Sequence, residues 1–335
     1  MRGRIRAAAT YEGDTLTHAA TESIHIGASD LRIFPLGLGT NTFNNPAEPA
    51  EYHEVLDGFV ERGGNFLDTA DMYSFWVDGN SGGESETVIG QWLSSRGQRD
   101  DIVVATKVAA KPGREGLSPQ NIAVAADESL ERLQTDHIDL YYAHYQDDET
   151  PIVESARAFD ALVKAGKVRA IGLSNFTPQA IDEWFAVSQE NGFALPVALQ
   201  PRYSLVSREY ESGLREAAQN HGMSVFPYQV LAGGFLSGKY RTAADLEGRA
   251  RAGAVERYLN EDGLRIVGVL DEVAAAHGTD AASVALAWAM ADGKIAAPLA
   301  AATSTAQLDQ LFAATALELT ADEVAALDEV SAGFR

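Results

Sequence analysis

The amino-acid sequence predicts a (β/α)₈ TIM barrel with an N-terminal β-hairpin, and three observations predict it. Eight short apolar runs recur along the 335 residues, amphipathic helical stretches fall between them, and no complete glycine fingerprint is present. Strands that are apolar throughout, each followed by a helix, build a parallel sheet covered on its outer face. Eight such units close into a barrel. The rival, an open doubly wound sheet, would carry GxGxxG at its first turn. The only candidate, GLGTNTF (37–43), does not complete that pattern and leads directly into no helix.

Taken in order, residues 1–22 read as a loose leader with three arginines and no apolar stretch of the kind a secretory signal needs. Residues 23–335 read as a single barrel domain. TESIHIGASDLRIF (21–34) predicts the hairpin, with Gly27 and Asp30 around its turn. The barrel strands are expected at 35–40, 65–70, 101–108, 137–144, 168–175, 196–200, 223–228 and 294–300. Between them, Ser118 and Pro119 have the chemistry of a helix cap and first position. Ile152, Ala156, Phe159 and Val163 share one helical face, and Gly166 stops that helix. Extra helices are expected in the long connection 231–263 and at the C-terminus, in TADEVAALDEVSA.

Composition narrows the function classes. Lys and Arg number 26 against 48 Asp and Glu, a net charge of -22, which repels nucleic acid and anionic membrane. No apolar run approaches membrane-spanning length, so the cytoplasm is the expected compartment. With no cysteine there is no disulfide and no thiolate nucleophile. The seven histidines never take HxH or HExxH spacing, and no metal is expected.

A barrel carries its active site at the C-terminal ends of its strands. Asp68, Lys107 and His144 fall there on consecutive units, and Tyr73 follows Asp68 in the second loop. Lys107 shares strand parity with Val103 and Ala105, which directs it to the barrel interior. One acid and one lysine would make an ordinary ion pair, but four such groups at the functional end read as a catalytic set. A tyrosine is a poor acid at neutral pH, and a neighbouring ammonium lowers its pKa. Such a set suits proton donation to a carbonyl oxygen. No side chain supplies hydride, so a nicotinamide or similar cofactor is required.

GLGTNTF, FLDTADMYS, ESETVIGQWL, ATKV, DLYYAH, GKVRAIGLSNF, LQPRYS and LAGGFLSGKY occur in that order. In these stretches the chain resembles the aldo-keto reductases, across roughly residues 23 to 332. The resemblance implies that Asp68, Tyr73, Lys107 and His144 form a catalytic tetrad and that the cofactor is NADPH, more rarely NADH. It further implies cofactor contacts from Gly39, Thr40, Asn41 and Asp68. Ser174, Asn175 and Gln200 would hold the carboxamide, and Tyr228 would stack on the nicotinamide. Leu231, Gly233, Ser237 and Lys239 would cover the pyrophosphate. Thr303, Ser304 and Gln307 would lie at the adenosine end. Without the resemblance, Ser174 and Asn175 read as a helix cap. The adenosine segment AAATSTAQLDQL (300–311) departs from the family, since it has no cation, and Gln310 and Leu311 replace a Glu and an Asn. Weak discrimination between NADPH and NADH follows as an expectation, unless Arg249, Arg251 or Arg257 compensates.

Phe43, Phe75, Trp76, Tyr145 and Arg202 are the expected walls of a substrate pocket for a small, apolar or planar carbonyl compound or a sugar-like ring. The short tail after the last helix suggests an open site. Two other readings stand beside this one. A cofactor-sensing or regulatory subunit would keep the tetrad yet turn over slowly. A metal-dependent barrel lyase would need clustered ligands, and only Asp68 and His144 are available.

Overall fold

The computed structural model describes residues 23–248, 252–291 and 293–334. The expected leader, Arg249 and Arg251 lie outside the described residues. Eight parallel strands form one sheet: β1 (Gly37–Gly39), β2 (Phe66–Asp68), β3 (Val103–Val108), β4 (Ile138–Ala143), β5 (Val168–Ser174), β6 (Ala198–Gln200), β7 (Ser224–Val225) and β8 (Leu299–Ala300). All eight fall inside the runs read from the sequence. Their order around the sheet is β7-β6-β5-β4-β3-β2-β1-β8. Backbone bonds from Ala296 to Val225 (2.9 Å) and from Leu299 to Pro227 (2.9 Å) join the two outer strands and close the ring.

The pleat sorts the side chains into two cores. Phe66, Val103, Ala105, Leu140, Tyr142 and Phe226 fill the interior, and Ile26, Leu31 and Ile33 of the hairpin plug its base. That hairpin pairs Ile24–His25 with Arg32–Ile33, antiparallel, as expected. Outward residues such as Val104 and Tyr141 pack beneath a jacket of helices. The jacket includes α1 (Ala50–Glu61), α2 (Glu84–Arg96), α3 (Pro119–Leu133), α4 (Ile152–Lys164) and α5 (Pro178–Asn191). Ser118 caps α3 by accepting from the Asn121 amide, with Pro119 at the first position. Gly172 matters inside the ring: a Cβ there would meet the Tyr142 ring at 2.4 Å, so its bareness makes room for that ring beneath Lys107.

The long connection after β7 carries short helical turns at Ala232–Ser237, Ala243–Leu246 and Ala252–Val255. The last helix, Ala321–Val330, follows a capping box at Thr320 and Glu323. One element escaped the sequence reading. A small antiparallel hairpin, Ala110–Lys111 with Arg114–Glu115, follows β3. Its Pro112-Gly113 turn was the available signal.

Candidate active site

β2 ends on Asp68, and β3 carries Lys107 inward on the same parity as Val103 and Ala105. The loop after β2 turns back at once. The Asp71 amide donates to the Lys107 carbonyl, and the Tyr73 amide donates to that of Ala70. Ser74 then takes a left-handed backbone (φ 78°), with its hydroxyl on the Phe43 carbonyl. Tyr73 is thereby set over the barrel mouth. Four more non-glycine residues adopt left-handed backbone in the loops after strand ends: Ala109, Asn175, Gln229 and Ala232. Such strain persists where the surroundings over-determine it and collects at functional sites.

The four expected groups converge. Lys107 Nζ donates to Asp68 Oδ2 at 2.8 Å, to the Thr69 carbonyl at 2.6 Å and to the Tyr73 hydroxyl at 3.0 Å. Those three bonds exhaust an ammonium. The Tyr73 hydroxyl donates to Asp68 Oδ2 at 3.4 Å. His144 meets the Tyr73 ring edge-on, centroids 6.3 Å apart, and its buried Nδ1 makes no hydrogen bond among the described residues.

Protonation follows from burial. Burial, then the charge of Asp68, pushes the Tyr73 phenol well above its ordinary value. Burial lowers the Lys107 ammonium, against the pull of Asp68. Burial and the Lys107 charge hold the His144 imidazole well below its usual range, hence neutral. From the residues alone the ammonium is expected to lower the phenol. Here that ammonium is committed to Asp68 and Thr69, and desolvation wins. Tyr73 waits as a neutral donor.

The residues assigned to the carboxamide are tied into the tetrad. Gln200 Nε2 donates to Asp68 Oδ1 at 2.8 Å, and Asn175 Nδ2 donates to the His144 carbonyl at 2.9 Å. Ser174 donates to the Gln200 carbonyl, and Tyr228 donates to Asn175 Oδ1 at 2.8 Å. Ser174 and Asn175 are not the cap of α5; Thr177 is, accepting from the Ala180 amide. Thr40 is buried, with its hydroxyl committed to the Asp68 carbonyl and Ser85, so it braces the end of β2. Gly39 stays open: a Cβ there would meet nothing nearer than the Ala300 carbonyl at 3.8 Å. Asn41 lies in the exposed turn after it.

The loop residues divide. Gly233 is left-handed (φ 71°), Leu231 and Ser237 are half-buried, and Lys239 is exposed over the Tyr240 ring. At the far segment, Gln307 accepts from the Thr303 amide at 2.9 Å, and Ser304 precedes the helix Thr305–Ala316. Leu311 is core. Of the expected pocket walls, Phe75, Trp76 and Tyr145 stand exposed by 38%, 50% and 46%, and Tyr145 stacks on His144. Phe43 is not a wall. It is fully buried and stacks on Tyr52, because its backbone turn faces α1. Arg202 Nη2 donates to the Tyr258 hydroxyl at 2.6 Å and, with Asn175 and Tyr228, borders a cavity of about 280 Å³. Arg257 lies over the Tyr258 ring.

Sequence reasoning missed three groups: the Thr69 carbonyl, Asp71 and Glu86. The second acid of DTAD and the acids of ESET were legible as residues, but nothing in their spacing showed that they meet.

The sequence pattern of the Aldo/keto reductase family matches residues 35–332. Protein tas of Escherichia coli is 33% identical over 330 residues, covering 90% of this chain and 95% of that protein. Norsolorinic acid reductase B of Aspergillus parasiticus is 31% identical, covering 92% and 84% respectively. A probable voltage-gated potassium channel subunit beta of Arabidopsis thaliana is 30% identical, covering 85% and 88%.

Proposed function

The chain belongs to the aldo/keto reductase family, and on that premise we propose that it reduces a small aldehyde or ketone to an alcohol with Tyr73 as general acid. One observation carries the reading: a buried ammonium stands 3.0 Å from the Tyr73 hydroxyl and 2.8 Å from Asp68. The family typically works with a nicotinamide dinucleotide, which when bound supplies the hydride. The open Gly39 and the amide and hydroxyl groups of Ser174, Asn175 and Gln200 fit such a group.

Tyr73 gives its proton to the carbonyl oxygen. The phenolate left behind is stabilised by Lys107, and Asp68 keeps that lysine charged and in place. An interaction that strengthens as charge develops lowers the barrier rather than the ground state. The neutral imidazole of His144 orients the same oxygen by hydrogen bonding. Exposed Phe75, Trp76 and Tyr145 at the rim favour a planar or apolar carbonyl compound. The segment 300–311 holds no Arg or Lys to pair with a 2′-phosphate. We therefore expect NADPH to be used, with NADH accepted, in the cytoplasm.

The test is a panel of aldehydes and ketones followed at the nicotinamide absorbance, with NADPH and NADH separately. Steady oxidation supports the reductase. Tight cofactor binding with negligible turnover would instead support a sensing subunit, the reading that the likeness to potassium channel beta subunits favours. A preference for NADPH above roughly a thousandfold would overturn the weak discrimination.

A further inference from the structure

Behind the tetrad, on the outer face of the barrel, lies a second polar group that the proposed reaction does not use. Asp71 is 1% exposed, three residues after Asp68 and two before Tyr73. Its amide is bonded to the Lys107 carbonyl at 3.2 Å, so its backbone is fixed to the strand that carries the ammonium. Its side chain is not matched. Among the described residues neither carboxyl oxygen makes a well-formed hydrogen bond, and the Met72 amide is the one backbone donor that favours its charge.

Five charged or titratable groups on other elements act on Asp71. From α2 comes Glu86, buried, accepting from the Thr106 hydroxyl at 2.6 Å and from Arg132 Nε at 2.7 Å. From α3 comes Arg132, committed to Glu86. The hairpin after β3 brings Lys111, whose ammonium is bonded to the Gly82 carbonyl at 2.9 Å. Inside β3 is Lys107, and from β4 comes Tyr141, whose buried hydroxyl has no hydrogen bond. Asp71 and Glu86 are thus both buried, the charge of one acts on the other, and the guanidinium is bonded to Glu86. Asp71 is stable there only when neutral.

We propose that Asp71 is a positioning residue: its buried carboxyl must carry a proton for the loop of residues 69–83 to hold Tyr73 against Lys107. Neutral, it sits beside Glu86 without repulsion. Ionised, it is driven from Glu86 toward water or Lys111, and it takes with it a segment whose next anchors are the Ala70–Tyr73 and Tyr73–Gly83 backbone bonds. Burial and the charge of Glu86 push the Asp71 carboxyl up to about 8. The alkaline limb of carbonyl reduction then reports Asp71, not the phenol of Tyr73, which titrates far above it.

This inference rests on the reductase reading for its activity arm, and a second arm does not. The activity arm is the pH profile of kcat/KM from pH 6 to 10 with an uncharged aldehyde, for the natural protein and for Asp71→Asn, which mimics the neutral acid. The natural protein should lose activity roughly tenfold between pH 7 and pH 9. In Asp71→Asn that limb should move up by at least about one unit, whatever its level at pH 7. An unmoved limb in a folded variant, or no limb in the natural protein below about pH 9, would overturn the proposal. The second arm needs no turnover and no variant: infrared absorption of a protonated carboxyl, followed against pH in the natural protein. A buried acid band that disappears near pH 8 supports the proposal even if no carbonyl is reduced. The absence of such a band at pH 6 overturns it even if the enzyme is active.

Discussion

Two buried carboxylates, one at each end of the barrel, are treated in opposite ways. Asp139, near the start of β4, is fully buried, and its Oδ2 accepts from Arg99 at 2.6 Å and from the Val104 amide at 2.9 Å. Its Oδ1 accepts from Arg169 at 2.8 Å, and His137 stands 3.6 Å away. Burial alone would raise this carboxyl; His137, Arg99 and the Val104 amide outweigh it and hold it at about 2. Asp71, beyond the end of β2, is equally buried but has almost no donors, and it is pushed up to about 8. The same residue type at the same depth differs by the donors around it. At the base of the barrel, charge is satisfied and ties the strands and the hairpin together, since Arg169 also reaches Asp30 at 3.3 Å. Toward the tetrad, among the described residues, several buried polar atoms are left short of partners: those of Asp71 and Tyr141 behind it and His144 Nδ1 within it. Barrels of this class generally keep stability at one face and chemistry at the other, and the two aspartates are shifted in opposite directions at those two ends.

The comparison is broken first at the mouth. Lys107→Met removes the charge proposed to steady the developing phenolate and leaves Asp68 buried without its counter-ion. Turnover should fall by about a thousandfold, and unfolding in urea should show a loss of about 3 kcal/mol. At the base, Asp139→Ala should cost about 2 to 3 kcal/mol, toward the low end for a buried pair because Arg169 reaches solvent. Turnover per folded molecule should be unchanged there. A large activity loss in that variant would erase the division between the two ends.

Acidity sharpens the same contrast with two opposite signs. Asp139 is held below its ordinary value of 3.8, so its contribution is present above about pH 4 and is lost as pH falls toward 2. That is roughly 2 kcal/mol. Asp71 is raised, so its contribution is present below pH 3.8 and is lost as pH rises toward 8. Urea midpoints across pH 3 to 9 should therefore rise and then decline. In Asp71→Asn the decline between pH 5 and 8 should flatten. The smallest effect belongs to the rim. Trp76→Ala, at a half-exposed ring, should raise KM several-fold, about 1 kcal/mol, with little change in kcat.

Much of this architecture was legible in the residues. Apolar runs bounded by turn residues located all eight strands, because a strand covered on both faces leaves no other pattern. Parity placed Lys107 inward, since alternation along a strand is fixed by geometry. The rest depends on contacts between elements. Phe43 looked like a pocket wall because it follows a strand end, and only the packing of α1 shows that it faces Tyr52. Asp71 and Glu86 are separated by a loop and a helix start, and no local period relates them. The acidity of Tyr73 was misjudged for the same reason. A sequence shows that an ammonium is near, but not that its three hydrogens are already taken.

The role proposed for Tyr73 is proton donation under the hold of Lys107 and Asp68. The most direct measurement is made on Tyr73→Phe: the dissociation constant for the nicotinamide cofactor and the single-turnover rate of carbonyl reduction, in one preparation. Binding should stay within about threefold, because the phenol hydroxyl is assigned to the carbonyl and not to the cofactor, while the rate should drop by at least about a hundredfold. A rate close to that of the natural protein, with the cofactor bound equally well, would contradict the account.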